Sequence, residues 1–360
     1  MLFKSLQLIG FIAGGAIFTY LINVLLLTFS KSLGIRNKND VVVRWSNESK
    51  PSLGGVSFFI VFIFAAFAYS IIFRDAPNIF QNIQYIGLFL SGALAFAMGL
   101  ADDAYDTRPL IKLFVQIFCG IIFIWTDTLI DFFHIWSLDA TLTVFWVVII
   151  MNSLNMLDNM DGITGITTFW IILSCMLSSW IMLPFNINLW ILILAAILGS
   201  IVGFLVMNKP PSKLFMGDAG SQFIGLFISF VSIKFLWNIG TIDPSNTQSS
   251  WLGACIVLVA FTPAAADTLT VVINRLKRGK SPMVGGKDHT THHLVYAGFS
   301  ERKVWFIFLL IGAISTMFTL AMVNLISFQC YIPAALIVFY PIVIFWILYK
   351  NTIKYPVPNL

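Results

Sequence analysis

Four polar clusters break an otherwise apolar chain of 360 residues, and each is rich in side chains suited to phosphate or metal chemistry. The first, Asp102-Asp103-Ala104-Tyr105-Asp106-Thr107-Arg108-Pro109-Leu110-Ile111-Lys112, follows directly on the run ending at Gly99-Leu100-Ala101. On a helix Asp102 and Asp106 would share a face, and neighbouring carboxylates repel unless cations or a metal neutralise them. An interfacial helix cap with an ion-pair network through Arg108 and Lys112 is the plainer reading of the same residues. The second cluster sets Asn152, Asn155, Asp158 and Asp161 at every third position ahead of Gly162. Successive members share a helix face while the stripe drifts round the axis. They offer oxygen ligands for a hard cation, or donor-acceptor pairs for a nucleobase edge. The alternative is Asn packing between helices, with the two acids in a loop.

The third cluster, Lys209 to Ser221, places Gly217 and Gly220 around Asp218 just before a helix start. Glycines there let the backbone approach an anion, and the carboxylate can hold a bridging metal. It lacks the spacing and the Lys-Ser/Thr ending of a phosphate loop, and a turn with a helix cap would look the same. The fourth runs from Asn274 to Lys303, with Arg275, Lys277, Arg278 and Lys280 followed by Gly285-Gly286-Lys287-Asp288-His289-Thr290-Thr291-His292-His293. H-x-x-H-H without Cys or Glu is a poor zinc set. A cationic, hydrogen-bonding site for phosphates fits better. Anionic lipid would explain the lysines but not the histidines. Asp267 is the only acid within an apolar run, either lining a cavity or paired for folding.

The elements that must position these clusters follow from composition. The chain is 59% hydrophobic and 10% charged, with a mean hydropathy of +0.91. Soluble domains carry about 25% charge, so a soluble globular fold, a disordered chain and a nucleic-acid tail are all excluded. The four cysteines show no metal or redox spacing. Eleven runs are long enough, or nearly so, for helices crossing a core about 30 Å thick. They lie near 6–30, 54–73, 83–101, 111–126, 140–157, 163–183, 189–207, 220–237, 251–273, 304–325 and 330–349. The first is too long for the core of a cleavable signal and reads as a retained span.

Sorting the connections to alternate sides puts 18 of 21 Lys and Arg on one side, in loops 31–53, 102–112, 158–162, 208–219, 274–303 and the C-terminal tail. That asymmetry marks the cytoplasmic side, with the N-terminus outside and the C-terminus inside. It also explains the net charge of +5 without an acidic partner. The expectation is an all-α polytopic integral membrane protein of about 11 transmembrane helices. It would be a single domain over 1–360, with its site at the cytoplasmic face, where all four clusters fall.

At these residues the sequence resembles the polyprenyl-phosphate N-acetylhexosamine-1-phosphate transferases of glycosyltransferase family 4, over most of the chain. The family's D-D-x-x-D-x-R falls on Asp102, Asp103, Asp106 and Arg108. Its N-x-x-N-x-x-D-x-x-D-G falls on Asn152, Asn155, Asp158, Asp161 and Gly162, and its F-M-G-D-x-G-S on Phe215 to Ser221. Its histidine-rich inner loop is represented by Asp288, His289, His292 and His293. Two departures stand out. The family's P-T-P-R-x-G-G appears as Ser49-Lys50-Pro51-Ser52-Leu53-Gly54-Gly55, and D-H-x-x-H-H differs both from D-x-x-H-x-H-H and from the three consecutive histidines of the phospho-MurNAc-pentapeptide members. The second departure points to a UDP-GlcNAc-type branch.

The resemblance implies transfer of a sugar 1-phosphate from a UDP-N-acetylhexosamine to undecaprenyl phosphate in the inner (plasma) membrane, releasing UMP. It implies an Mg²⁺ cofactor, with Mn²⁺ as a substitute, no nucleic-acid partner, and a homodimer as a compatible assembly. Among residues, it implies Asp102 and Asp103 as catalytic carboxylates and Asp218 with Asn155 at the metal. Asn155 and Asp158 would lie near the uridine with Phe215 stacked on the ring, and Arg275, His289, His292 and His293 on the sugar-phosphate side. Asn152, Asp161, Lys50 and Lys112 would make further substrate contacts. The alternatives are a phospho-MurNAc-pentapeptide transferase or, from another class, a transporter or flippase. The last needs charges near the bilayer midplane in corresponding halves, whereas ten of the 16 acids gather on the cytoplasmic side.

Overall fold

The computed structural model describes residues 2–30, 50–74, 77–182, 188–241, 250–282 and 285–358. Most of the first basic loop, with Asp75 and Asp243, lies outside the described residues. The described residues form no strand. In chain order the helices are α1 (Leu2–Ser30), α2 (Val56–Ile72), α3 (Ile83–Tyr105), α4 (Pro109–Trp125), α5 (Trp136–Leu157), α6 (Ile163–Met182) and α7 (Leu189–Asn208). There follow α8 (Gly217–Phe235), α9 (Ser250–Ala260), α10 (Thr262–Lys277), α11 (Thr290–Tyr296), α12 (Glu301–Ser327), α13 (Tyr331–Leu336) and α14 (Phe339–Lys354).

Eight of these segments are long and apolar enough to cross a membrane, counting α13 and α14 as one, and the bent pair α9 and α10 makes up to nine. The chain is an integral membrane protein. The shorter α2 and α4, at 17 residues each, span about 26 Å, just under the hydrocarbon thickness. Every run anticipated as a span is helical, but the ninth is not one rod. It breaks at Phe261, and α10 leaves α9 at 84°. Pro263 in the first turn of α10 is the physical cause, because its ring removes an N–H and clashes with the preceding turn. The connections that carry the polar clusters are also tighter than expected. α3 runs on to Tyr105 and α4 begins at Pro109, leaving a three-residue turn in which Asp106 adopts φ 52°. The connection 274–303 is in part helical, since α10 continues to Lys277 and α11 lies inside it.

α8 is the central helix, buried along nearly its whole length and packed on α2, α3, α5 and α6. α1 and the α13–α14 segment lie outside, with most of their apolar surface uncovered. The segment before α2 is laced to the one before α8 by Phe215 N to Pro51 O (2.9 Å), Gly54 N to Phe215 O (3.0 Å) and Gly55 N to Met216 O (2.9 Å). There the Gly pair has a physical role. A Cβ on Gly55 would strike the Cα of Gly220, so only glycine lets these two helix starts cross. Five helix ends, those of α3, α5 and α10 and the starts of α4 and α8, thereby meet at one end of the bundle.

Candidate active site

The five ends surround a cavity of about 1130 Å³. Thirteen of the fourteen residues singled out from sequence line it: Lys50, Asp102, Asp103, Lys112, Asn152, Asn155, Asp158, Asp161, Phe215, Asp218, Arg275, His289 and His292. His293 is the exception. Its ring is fully buried and faces away, with Nδ1 2.5 Å from the Tyr355 carbonyl and an edge contact to Tyr296. On a helix His293 stands about 100° round from His292, so the two cannot both face one cavity.

The carboxylate wall is built at the α3–α4 turn and the start of α8. Asp102 is 4% exposed and saturated: its Oδ1 accepts from Thr107 N (2.9 Å) and Thr107 Oγ1 (2.6 Å), and its Oδ2 is paired with Lys112. Lys112 also reaches Asp218 Oδ2 at 3.5 Å, so one ammonium bridges two carboxylates. Asp103 accepts from Ala219 N at 3.0 Å, which fixes it over the first turn of α8. Gly217, with φ +76°, leaves room there, because a Cβ would meet Ser52 O and lie 2.9 Å from Asp103 Oδ2. Asn155 donates to Asp218 Oδ1 (2.7 Å) and to Ser221 Oγ (2.9 Å).

Asp161 is held apart from this group. It accepts from Ser212 N (2.7 Å) and Ser212 Oγ (2.8 Å) and lies 3.8 Å from Lys50, whose ammonium sits 5.5 Å from the Phe215 ring centroid. Asn152 donates to Gln116 Oε1 at 2.6 Å, one turn deeper in the bundle.

The basic wall comes from α10 and α11. Arg275 was expected to hold phosphate, but its guanidinium is committed: Nε and Nη2 grip Asp288 at 2.9 and 2.6 Å, and Nη1 donates to Pro282 O at 2.8 Å. Burial opposes ionisation of Asp288, yet this bidentate pair outweighs it and holds the carboxyl below the usual range. His289 Nδ1 faces Asp267 at 2.8 Å. Burial, helped by His289, pushes His292 down to about 3, so it is a neutral hydrogen-bonding group. Asn159, between Asp158 and Asp161, lines the cavity and accepts from Thr291 Oγ1 at 2.6 Å, tying the α5–α6 turn to α11.

Sequence reasoning passed over two further features. Gln116, buried on α4, donates to Gln222 of α8 at 3.1 Å. A lone amide inside an apolar run was the available signal. Glu301, at the start of α12, also lines the cavity.

Among the described residues no group of three His, Cys, Asp or Glu side chains is gathered as a metal site. The donor chemistry nonetheless suits Mg²⁺, which takes one or two carboxylates and keeps several waters. Asp218 and Asp103 lie on the same wall as the Asn155 amide. Asn155 turns its N–H₂ toward Asp218, so ligation by both would require its oxygen to take that place. Beyond the charged walls, Leu113, Phe145, Val148, Ile149 and Val272 extend the lining as an apolar arm, and Phe145 is largely uncovered on the bundle's outside. Anionic and apolar portions of one ligand pair could therefore be held together.

Comparison with known proteins gives the same picture. Residues 85–236 match the model of glycosyl transferase family 4. A probable undecaprenyl-phosphate N-acetylglucosaminyl 1-phosphate transferase of Bacillus subtilis is 26% identical over 279 residues, covering 73% of this chain and 71% of the relative. A decaprenyl-phosphate N-acetylglucosaminephosphotransferase of Mycolicibacterium smegmatis is 27% identical over 350 residues, covering 88% and 83%. A phospho-N-acetylmuramoyl-pentapeptide-transferase of Streptococcus uberis is 26% identical over 325 residues, covering 81% and 90%.

Proposed function

We propose that this chain, whose residues 85–236 match the model of glycosyl transferase family 4, transfers an N-acetylhexosamine 1-phosphate, GlcNAc 1-phosphate first of all, from its UDP-sugar to undecaprenyl phosphate. UMP leaves and a lipid diphosphate sugar is formed. The observation that carries the proposal is the convergence of twelve residues from four separate sequence clusters, with Lys50 from the segment before α2, on one cavity at one end of the bundle. With the basic connections placed in the cytoplasm, the N-terminus outside and eleven crossings, that end lies at the inner face of the plasma membrane. A water-soluble dianionic donor and a lipid phosphate can meet only at such a surface.

Phosphoryl transfer is mostly alignment and charge neutralisation. Asp103 is the better candidate to accept a proton from, or orient, the acceptor phosphate, because Asp102 already holds three donors. A second phosphate pKa near 6 makes that demand modest. Lys112 supplies a fixed positive charge beside the reacting phosphates, and Asp102 keeps it there. Mg²⁺ bound through Asp218 would neutralise charge on the donor diphosphate. Asp158 and Phe215 suit the uridine end, while His289 and His292 suit the sugar-phosphate end. The apolar arm suits the first isoprene units of the acceptor.

The test is UMP release by purified protein in detergent with undecaprenyl phosphate and Mg²⁺, across a panel of UDP-N-acetylhexosamines and UDP-MurNAc-pentapeptide. Turnover of UDP-GlcNAc is expected. Turnover of the pentapeptide donor alone would move the chain to the in-family alternative, and lack of UMP with every donor would sink the proposal.

A further inference from the structure

Asp267 has no role in the chemistry above, and the fold places it behind the cavity wall. It is 0% exposed, and its Oδ1 accepts from Thr290 N (2.8 Å) and Thr290 Oγ1 (2.6 Å) while its Oδ2 faces His289 Nδ1 (2.8 Å). The two Thr290 bonds hold the carboxylate in a fixed attitude toward the ring. An ionised carboxylate only accepts, so the proton of this pair lies on Nδ1. The remaining nitrogen, Nε2, makes no hydrogen bond among the described residues, and the ring lines the cavity. A neutral His289 therefore offers the cavity a lone pair, and it donates there only after taking a second proton.

From this geometry we infer that His289 binds a phosphate oxygen of the nucleotide as an imidazolium, and that one proton enters from solvent with the ligand. Asp267 is the positioning residue: it fixes the tautomer and carries the buried counter-charge. The inference rests on the reading of the cavity as a nucleotide-sugar site. The proton adds to Nε2, its positive charge is balanced within the site by Asp267, and it returns to solvent when the nucleotide departs.

The charged and titratable groups around the pair are Arg275 on α10, Asp288 ahead of α11, His292 and His293 on α11, Glu301 at the start of α12 and Asp158 after α5. α14, which packs on α11, is followed by Tyr355, whose backbone carbonyl faces His293. Arg275 is locked on Asp288, whose carboxyl is held low, and both His292 and His293 are pushed down by burial. That leaves His289 as the imidazole that presents to the cavity a nitrogen without a partner among the described residues.

The experiment is titration calorimetry of UMP into the full-length protein in detergent with Mg²⁺, at pH 7 to 9, in buffers of different ionisation heat. Wild type is expected to take up about one proton per UMP, with affinity falling up to about tenfold per pH unit on the alkaline side. In Asp267→Asn the amide N–H₂ faces Nδ1, so the neutral ring presents Nε2–H to the cavity. UMP should then bind about tenfold more weakly, with no proton uptake and little dependence on pH. His289→Gln, a neutral donor, should also abolish uptake, and it decides the matter if the Asp267 variant does not fold. Proton uptake that persists in either variant overturns the inference while leaving the site intact. Failure of wild type to bind UMP at all overturns the nucleotide-site reading and the inference with it.

Discussion

At the cavity edge α4, α5 and α8 meet through Lys112, Asn155 and Asp218; one turn deeper the same helices meet through Gln116, Asn152 and Gln222. The spacing is i, i+4 on α4 and α8, so the second storey lies about 6 Å further into the bundle. In the upper storey one ammonium bridges Asp218 and Asp102 while Asn155 donates to Asp218. The lower storey repeats the pattern with neutral amides, Asn152 donating to Gln116 and Gln116 to Gln222, with both Gln side chains 1% exposed. The difference follows from solvation. Charges are tolerated where the cavity can bring water, whereas a few ångströms deeper an unpaired charge would have to be desolvated outright. The upper storey is thus built for a charged ligand and the lower to hold three helices in register beneath it.

If that contrast is right, damage should be very unequal. Asp218→Ala should have the largest effect, a loss of UMP release on the order of a thousandfold, since the residue faces the cavity and is the assigned metal ligand. Retention of more than about a tenth of the activity would refute that assignment. Lys112→Met comes next. It leaves Asp102, whose side chain is 3% exposed, as an uncompensated buried charge. Removing one partner of a buried pair costs about 3–5 kcal/mol, so the melting temperature in detergent should fall clearly and activity by about a hundredfold. An unchanged melting temperature would show that the upper storey does not depend on its ion pairs.

The sequence made the upper storey legible because its members sit in dense polar clusters at the ends of apolar runs, and helix length alone decides which ends come together. Of the lower storey only Asn152 belongs to a cluster; its partners are single amides, Gln116 within one run and Gln222 just past the Gly-Asp cluster, and nothing local joins them. Pairings between distant elements were likewise out of reach. Asp267 and His289 lie on separate elements, and Arg275 could be seen as basic but not as already held by Asp288. The bend between α9 and α10 was announced by Pro263, yet the continuous hydrophobicity of 251–273 outweighed it in a reading that weighs length. His293 was grouped with its neighbours by composition, where helical geometry alone would have turned it away from His292.

The lower storey gives a sharper test through a pair of substitutions. Gln116→Leu alone strands the Gln222 carbonyl and leaves the Asn152 amide only its bond to Val148 O (2.8 Å), and Gln222 Nε2 already finds no partner among the described residues. A stranded polar group in such a place costs about 1–3 kcal/mol, and a several-fold loss of activity should follow as Asn152 loses its tie to α4. Replacing Gln116 and Gln222 together by Leu removes both partners, and stability should recover to within about 1 kcal/mol of wild type. The corresponding pair in the upper storey, Lys112→Met with Asp218→Leu, should remain inactive whatever its stability. Recovery of activity in that upper pair would erase the distinction between the storeys.

The smallest effect lies where the two rules meet, at His292, which lines the cavity but is 2% exposed and neutral. Burial lowers its pKa from 6.5 to about 3. In the unfolded chain the ring takes a proton below pH 6.5, while the folded protein refuses it until about pH 3. The unfolded state therefore binds more protons across that window, and stability must fall as the pH drops through it, by about 1.4 kcal/mol per pH unit for this one group. His292→Gln keeps a hydrogen-bonding side chain without the titration. Between pH 6.5 and 5 its melting temperature should fall less steeply than that of wild type, carboxylate contributions being common to both proteins. Parallel slopes would mean that His292 is charged in the folded state, and that the basic wall obeys the rule of the upper storey rather than of the lower.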